Sequence, residues 1–275
     1  MTINCKGQLI DLSQPKVMAV LNVTPDSFYD GGSYKDENSI LYQVEKHLYA
    51  GATFIDVGGY SSRPGADFVS EDEEFKRVVP VVELILKHFP ESLISIDTFR
   101  SEVAKQTIEA GAAIINDISA GKLDEKMIET VGNLGVPYIM MHMRGNPKTM
   151  QKQTDYQDLI KDINFYFAEQ IALAHKAKIN DIIIDPGFGF AKTLEQNFKI
   201  LNKLNLLKIA DKPILAGVSR KSMIYKTLNT SAKEALNGTT ALNMIALQNG
   251  ASILRVHDVK EAVECVSLYQ QLQAN

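Results

Sequence analysis

The chain has 275 residues, of which 45% are hydrophobic and 23% charged, and its formal net charge is −4. This length and composition fit a globular protein with a sizeable core. The acidic balance argues against a nucleic-acid-binding face, and no apolar run reaches the ~18 residues of a membrane span.

The amino-terminal segment and the cysteines predict a cytoplasmic protein. Residues 1–16 contain no apolar stretch of the kind that secretory signals carry. Cys5 and Cys265 are the only cysteines. A disulfide between them would span almost the whole chain, and two reduced thiols are the favoured interpretation. No linker or low-complexity segment interrupts residues 1–275, which predicts one domain.

Eight short apolar or β-branched runs follow one another along the chain. In chain order they are VMAVLN (17–22), TFIDVGG (53–59), LISIDT (93–98), AAIINDI (112–118), PYIMMHM (137–143), DIIIDPG (181–187), PILAGVS (213–219) and SILRVHD (252–258). Amphipathic segments separate these runs, the clearest at 73–89, 100–111 and 158–178. Continuous apolar runs are typical of parallel strands that are covered on both faces. Eight of them alternating with helices predict an α/β fold, the (β/α)8 TIM barrel; an open doubly wound sheet is the alternative.

Each predicted strand ends in polar residues, whereas its other end is mostly apolar. In chain order these residues are Asn22, Asp56, Asp97, Asn116 with Asp117, His142, Asp185, Ser219 with Lys221, and Arg255 with His257. The carboxyl ends of barrel strands meet at one mouth, where the site of such a fold lies. Amide and carboxylate groups gathered there suit a flat, nitrogen-rich heterocycle. Candidates for the apolar walls of that site are Met140, Ile118 and Phe190.

Several of these residues also have purely structural interpretations. Asp97 could cap a helix, and the Asn116–Asp117 pair could form a turn. Asp185 could open the turn at Pro186. For His142, a hydrogen-bonded histidine in the core is the favoured interpretation.

Cationic residues follow the second, seventh and eighth predicted strands. They are Arg63, Arg220, Lys221, Arg255 and His257. Cations close together at loop ends attract phosphate, and helix N-termini nearby add oriented N–H groups. No set of histidines, cysteines and carboxylates has the spacing of a transition-metal site. Hard oxygen ligands beside phosphate fit Mg²⁺, with Asn22 as a candidate ligand.

Several segments are specific enough to indicate a family. They are NVTPDSFYDGG (22–32), GGYSSRPGA (58–66), IDTFR (96–100), NDI (116–118), MHMRGNPKTMQ (141–151), DPGFGFAKT (185–193), GVSRKSM (217–223) and RVHDV (255–259). Together they resemble the dihydropteroate synthase family, which joins a pterin diphosphate to 4-aminobenzoate in folate synthesis. The family fold is the (β/α)8 barrel, in agreement with the periodicity.

The resemblance implies a role for each matching residue. The implied pterin-binding residues are Asp97, Asn116, Asp185, Lys221, Met140, Gly217 and Arg255. The implied diphosphate-binding residues are Ser62, Arg63, Arg255 and His257. The implied 4-aminobenzoate pocket consists of Phe28, Pro64, Phe190 and Ser222. Asn22 is implied as the Mg²⁺ ligand, and the implied catalytic residues are Asn22, Arg255, His257 and Lys221.

The implied reaction transfers the pterin-methyl group from diphosphate to the arylamine nitrogen by a dissociative route. The resemblance also implies a homodimer that acts on small molecules, without nucleic acid or membrane partners, and sensitivity to sulfonamides. The alternative is a non-catalytic or methyltetrahydrofolate-binding pterin module on the same barrel.

The chain departs from the family pattern at a few positions. Tyr60 stands where the family often has Glu, which removes a charge beside the second loop. Ser62 replaces a Thr and keeps its hydroxyl. In the segment SRKS, we expect Lys221 and Ser222 to face the substrates. Ser219 and Arg220 are expected to support the turn, with Arg220 facing solvent.

Overall fold

The computed structural model describes residues 1–23, 34–60 and 69–274. It begins with an antiparallel hairpin of two strands, β1 (Thr2–Cys5) and β2 (Gln8–Asp11), which the sequence analysis did not predict. Lys6 and Gly7 form its two-residue turn, and both have left-handed backbones with φ of 55° and 83°. Two left-handed residues are what a type I′ hairpin turn requires.

Eight parallel strands follow the hairpin. They are β3 (Lys16–Asn22), β4 (Phe54–Gly58), β5 (Leu93–Asp97), β6 (Ile114–Asp117), β7 (Tyr138–Met141), β8 (Ile182–Asp185), β9 (Leu215–Ala216) and β10 (Ile253–Val256). Their order in the sheet is β8-β7-β6-β5-β4-β3-β10-β9. A parallel bridge between Ile184 and Ile214 connects β8 to the residue before β9. The sheet is therefore a nearly closed barrel, which confirms the predicted fold and excludes the open doubly wound sheet.

Helices separate the strands and cover the outside of the barrel. They are α1 (Tyr34–Tyr49), α2 (Glu71–His88), α3 (Ser101–Glu109), α4 (Met127–Leu134), α5 (Leu159–Lys176), α6 (Leu194–Asn202), α7 (Ser222–Thr227), α8 (Leu236–Gln248) and α9 (Val259–Ala274). Helices α2 and α6 begin with side-chain caps formed by residues next to them in the sequence. The Ser70 hydroxyl accepts from the Glu73 N–H at the start of α2, and Thr193 with Gln196 forms a capping box at α6. Across the described ranges, no helix is long and apolar enough to cross a membrane.

The inward positions of the strands change from apolar to polar along the barrel. At the amino-terminal end, Met18, Phe54 and Ile253 belong to one buried cluster with Ile3 and Ile10 of the hairpin. At the other end, the inward positions carry the polar residues Asp56, Ser95, Asp97 and Asn116. The hairpin thus covers the apolar end, and the polar end is the mouth.

The strand register corrects one predicted site residue, Met140. Asn116 is aligned with Ile139, and Asp117 with Met140. Ile139 belongs to the inner cluster, whereas Met140 belongs to the cluster between the barrel and the helices. Side chains alternate along a strand, so Met140 points away from the mouth. The prediction that Met140 lines the site is wrong.

Met141 takes the inward position instead. It is aligned with Asp185 across β7 and β8. It also packs in a separate buried cluster with Ile118, against which the half-buried Phe190 lies. Two of the three predicted apolar wall residues therefore sit beside Met141.

The two cysteines are buried and neither forms a disulfide. Cys5 lies in the hairpin and Cys265 in α9. The interpretation of two reduced thiols is therefore confirmed.

Candidate active site

Arg255 lies at the centre of a hydrogen-bonded network in the mouth of the barrel. Its Nε donates to Asp56 Oδ2 at 2.6 Å, and its Nη2 donates to Asp97 Oδ2 at 2.8 Å. The Ser95 hydroxyl donates to Asp56 Oδ1 at 2.6 Å, and Asn116 Nδ2 donates to Asp56 Oδ2 at 3.1 Å. One network therefore joins β4, β5, β6 and β10.

Asp56 was not among the predicted site residues, although it was recognised as a strand end. It is fully buried and accepts from three side chains of the network. The signal that could have identified it is the alternation of side chains along β4, which places Asp56 on the same inward face as Phe54. Asp56 thus holds the guanidinium of Arg255 and the amide of Asn116 in fixed orientations.

The carboxyl and ammonium groups at the mouth have shifted pKa values because the surrounding protein shields them from water, although Asp97 and Lys221 keep part of their surface exposed. Burial raises the pKa of the Asp97 carboxyl to about 7, although the Arg255 charge acts in the opposite direction. Burial also raises the pKa of Asp185, against the effect of the Lys221 charge. Burial lowers the pKa of Lys221 to about 8, and Asp185 opposes that shift. The pKa values of the Asp97 carboxyl and the Lys221 ammonium therefore both lie close to neutral pH.

The loop after β8 is held against Lys221. The Lys221 ammonium donates to the Phe188 carbonyl and lies 5.2 Å from the centroid of the Phe190 ring. Asp185 opens this loop, because its Oδ1 accepts from the Gly187 N–H at 2.7 Å. The turn interpretation of Asp185 therefore holds alongside its place at the mouth.

Gly217 lies between Lys221 and Arg255, the two cationic residues of the mouth. A Cβ atom at this position would lie 3.8 Å from Lys221 Nζ and 3.9 Å from Arg255 Cβ. Both distances are ordinary van der Waals contacts, so an alanine at position 217 would not clash with the rest of the protein. The absence of a side chain leaves the backbone at position 217 uncovered between Lys221 and Arg255.

Asn116 and Asp117 point to opposite faces of β6. Asn116 joins the network in the mouth, whereas Asp117 faces the helices and is fully buried. Asp117 accepts from the backbone N–H groups of Ser119 and Gly121 and from the Tyr138 hydroxyl. The turn interpretation thus applies to Asp117, and Asn116 is free to serve as a site residue.

A buried lysine that the sequence analysis did not single out holds the same loop from behind. Lys192 is 4% exposed, and its ammonium lies 2.8 Å from the Phe190 carbonyl and 3.0 Å from the Gly187 carbonyl. It also lies 3.0 Å from Nδ1 of His142. The His142 carbonyl lies further away, at 3.4 Å, so the acceptors around the amine are enough to use all of its N–H donors. The Lys192 side chain therefore ties the loop after β8 to the end of β7.

His142 is a core residue, as the favoured interpretation predicts. It is 1% exposed, and burial together with the Lys192 charge lowers its pKa well below the usual range. Burial also lowers the pKa of Lys192, while the Asp185 charge raises it. A neutral imidazole with an unprotonated Nδ1 is the form that can accept from Lys192.

We expect Lys192→Met to destabilise the protein by about 3 kcal/mol or more, because several buried acceptors lose their donor. The measurement is the free energy of unfolding from urea denaturation. Lys199→Met is the matched control, since Lys199 is exposed on α6 and the same change there should stay within about 0.5 kcal/mol. Equal free energies of unfolding for the two variants would contradict the role given to Lys192.

The loops after β9 and β10 are fastened to each other, which corrects the expectation for Arg220. Its guanidinium forms two hydrogen bonds of 2.8 Å with Asp258, and only 24% of its side chain is exposed. Arg220 therefore does not face solvent. Next to it, Ser219 Oγ lies 3.1 Å from Nδ1 of His257.

Tyr60, at the position where the family often has Glu, packs against the ring of Phe99 and the guanidinium of Arg100. Its ring meets Phe99 edge-on at 5.3 Å, and the Arg100 guanidinium lies 5.6 Å from its centroid. Arg100 is paired with the buried carboxylate of Glu74. The carboxylate that pairs with Arg100 therefore comes from Glu74, while the residue at position 60 is an uncharged tyrosine.

The other residues predicted for the site are Ser222 and Asn22, which the structure describes, and four residues that lie outside the described ranges. Ser222 is half-buried at the start of α7, directly after Lys221. Asn22 is half-buried at the end of β3, and no other described residue forms a hydrogen bond with its side chain. Among the described residues there is no group of three or more His, Cys, Asp or Glu that could hold a metal ion. Phe28, Ser62, Arg63 and Pro64 lie outside the described residues.

Comparison with known proteins identifies the family. Residues 18–257 match the profile of the family described as pterin binding enzyme. Dihydropteroate synthase of Escherichia coli is 46% identical over 273 residues, which are 98% of this chain and 96% of that protein. The Synechocystis dihydropteroate synthase is 44% identical over 247 residues, 89% of this chain and 85% of that protein.

Solved structures of this family have the same fold. Yersinia pestis dihydropteroate synthase in a sulfonamide drug complex has a TM-score of 0.93 and 42% identity, with full coverage of both chains. Xanthomonas albilineans dihydropteroate synthase with 4-aminobenzoic acid has a TM-score of 0.92 and 35% identity, covering all of this chain and 98% of that one. The family profile and these relatives together show that the chain belongs to the pterin-binding enzyme family, among the dihydropteroate synthases.

Proposed function

We propose that the protein condenses 7,8-dihydropterin-6-ylmethyl diphosphate with 4-aminobenzoate, giving 7,8-dihydropteroate and pyrophosphate. The observation that carries this proposal is the network of Arg255 with Asp56, Asp97 and Asn116. It presents acceptors and donors side by side in the barrel mouth, a short way from Lys221. A reduced pterin has amino, ring N–H and carbonyl groups along its edges, which match such a set.

The same residues account for how a pterin would be held. The carboxylates of Asp97 and Asp185 accept from its N–H groups, and Lys221 donates to its carbonyl oxygen. Met141, Ile118 and Phe190 form the apolar wall beside the ring. Arg255, fixed by Asp56, lies where its guanidinium can cover the ring face or contact the diphosphate.

The chemical step transfers the methylene carbon from oxygen to nitrogen. The bond between that carbon and the diphosphate breaks, the new carbon–nitrogen bond forms, and the arylamine nitrogen loses one proton. Neither cysteine is a nucleophile for this step, because Cys5 is in the hairpin and Cys265 is in α9. The negative charges of Asp97 and Asp185 favour a cationic pterin, which supports a dissociative route. Arg255 and His257 stabilise the departing diphosphate.

Mg²⁺ is the proposed metal, with Asn22 as its protein ligand. The amide of Asn22 stands at the end of β3 with no hydrogen-bonding partner among the described residues, which fits a ligand position. A single protein oxygen is enough, since Mg²⁺ is commonly held by one or two side chains together with water and substrate phosphates. When bound, the ion would neutralise charge on the diphosphate.

We expect kcat/KM for the pterin diphosphate to follow a bell-shaped pH profile. Asp97 must be ionised to accept from the pterin, and its raised pKa of about 7 makes activity fall as the pH drops below that value. Lys221 must be charged, and its lowered pKa of about 8 makes activity fall as the pH rises above it. The measurement is kcat/KM across about pH 5 to 10.

The Lys221→Arg variant tests the assignment of the alkaline limb. Arginine stays charged over this range, so the alkaline limb should disappear while the acid limb remains. An alkaline limb at the same pH in this variant would assign that limb to another group.

The test of the function is the release of pyrophosphate from 7,8-dihydropterin-6-ylmethyl diphosphate, measured with and without 4-aminobenzoate and Mg²⁺. Release that requires both, with formation of 7,8-dihydropteroate, is the expected result. Pterin binding without turnover would instead identify a non-catalytic module. Binding of methyltetrahydrofolate in preference to the diphosphate would identify the other alternative.

Three further properties are proposals of the same kind. A cytoplasmic location is supported by the two cysteines, which are free rather than paired, because disulfides are rare in reducing compartments. The homodimer stays a prediction, and sedimentation velocity of the purified protein measures it. Inhibition by sulfonamides is proposed to be competitive with 4-aminobenzoate at Phe190 and Ser222.

A further inference from the structure

Two successive residues of the loop after β9 are bound to two successive residues of the loop after β10. Ser219 meets His257, and Arg220 meets Asp258. Of these four, only His257 has been given a role toward substrate, on the diphosphate side. The pairing therefore raises the question of what the other three residues do for His257.

The Arg220–Asp258 pair fixes the two loops relative to each other. Nε and Nη2 of Arg220 donate to the two oxygens of Asp258, each at 2.8 Å, which is the bidentate geometry of a strong ion pair. Arg220 has a left-handed backbone with φ of 53°, and its N–H donates to Thr239 Oγ1 at 3.0 Å. Its guanidinium also donates to the Ala232 carbonyl at 2.9 Å. The backbone and the side chain of Arg220 are therefore both hydrogen-bonded, and its guanidinium could reach the diphosphate only if the bonds to Asp258 and Ala232 broke.

Ser219 contacts both the backbone and the ring of His257. Its Oγ accepts from the His257 N–H at 3.2 Å, because a backbone nitrogen can only donate. The same Oγ lies 3.1 Å from Nδ1 of the ring, and Ser219 is 5% exposed. A hydroxyl can donate its one proton while its oxygen accepts, so Ser219 can donate to Nδ1 and accept from the backbone at the same time. A neutral imidazole that accepts at Nδ1 carries its proton on Nε2.

We propose that Ser219 and the Arg220–Asp258 ion pair are positioning residues that hold His257 in the Nε2–H tautomer, with Nε2–H as a donor for the departing diphosphate. This inference rests on the proposed function. A donor that is fixed before the reaction stabilises the developing charge without reorganisation, which is why a second set of residues to orient it is useful. Within the segment SRKS, the first two residues then serve the histidine and the last two serve the pterin and the arylamine.

The tautomer is measured by NMR on protein labelled with ¹⁵N at histidine. The chain has five histidines, and His257→Gln assigns the signals of this one. The expected result at mildly alkaline pH is an unprotonated Nδ1 and a protonated Nε2 in the wild type. In Ser219→Ala we expect this preference to be lost. A wild-type His257 protonated at Nδ1 would overturn the proposal, whatever the enzyme's activity.

Kinetics supplies the second measurement. Ser219→Ala should lower kcat/KM for the pterin diphosphate about tenfold, with KM for 4-aminobenzoate unchanged, because only the diphosphate side is affected. Asp258→Asn keeps the volume of the side chain and should act in the same direction. Ser267→Ala is the matched control, since Ser267 is exposed on α9, about two helical turns beyond the start of that helix.

The outcomes separate this inference from the proposed function. Wild-type protein that releases no pyrophosphate would refute the function, and the tautomer measurement would still be readable. Wild-type protein that turns over, with both Ser219→Ala and Asp258→Asn at the wild-type kcat/KM, would overturn the inference and leave the function standing.

Discussion

Arg255→Met is expected to abolish measurable condensation and to lower the free energy of unfolding by about 3 kcal/mol. Removing one partner of a buried ion pair leaves the other charge uncompensated, and here two carboxylates, Asp56 and Asp97, lose the same guanidinium. Asp56 is fully buried, so solvent cannot replace the lost partner. The loss of the cation from the mouth should lower kcat by at least about a hundredfold.

The pH dependence of the stability loss identifies its cause. Burial raises the pKa of the Asp97 carboxyl in the folded protein, and the Arg255 charge opposes that rise, so the pKa rises further when Arg255 is removed. Folding then favours the protonated Asp97 carboxyl, and the stability that it contributes is lost as the pH rises through its folded pKa. The deficit relative to wild type should therefore be larger at about pH 8 than at about pH 6.

Urea denaturation at both pH values measures this effect. Arg144→Met is the matched control, because Arg144 pairs with Asp162 near the surface, where an ion pair contributes little. A deficit for Arg255→Met that does not change with pH would show that lost packing, rather than the two carboxylates, is responsible.

Lys221→Ala is expected to weaken pterin binding ten- to a hundredfold, by about 1.5–3 kcal/mol, without unfolding the protein. In the proposed pterin site the ammonium is the charged donor for the pterin carbonyl, and its loss would remove a hydrogen bond that water in a narrow site replaces poorly. The Phe188 carbonyl also loses its donor. Stability should change little, since Lys221 is only half-buried and begins a short helix.

Isothermal titration with a dihydropterin that lacks the diphosphate measures this affinity directly. Lys226→Ala is the matched control, because Lys226 lies on the same helix and is exposed. It should bind as the wild type does. Unchanged pterin affinity in Lys221→Ala would remove Lys221 from the site.

Most of the barrel could be predicted because its signal is local and repeated. Each strand is a short apolar run that ends in polar residues, so both the number of strands and the position of the mouth follow from the sequence. The hairpin β1–β2 was missed because its strands have four residues each and its turn, Lys6-Gly7, resembles an ordinary surface turn. Short strands of this kind are stabilised by tertiary packing rather than by their own pattern.

The errors within the site have a different origin. Met140 and Met141 are adjacent and chemically identical, so no alternation of residue types distinguishes the inward one. The decision depends on the register with Asn116 and Asp185. Arg220 was assigned to solvent because its partner Asp258 is 38 residues away in the sequence. Contacts of that range cannot be read from one sequence, and neither can the pairing of Lys192 with His142.

The covered bottom of the barrel has a consequence for the order of events in catalysis. Because the hairpin and the inner cluster close one end, everything that binds enters and leaves through the mouth. Four of the groups assigned to the pterin, those of Asp97, Asn116, Asp185 and Arg255, lie on strands, whereas Ser222 begins α7 directly after the loop that follows β9. With the proposed site residues, we expect the arylamine to bind on the mouth side of the pterin. The pterin diphosphate should then bind first, and the coupled product should leave through the mouth.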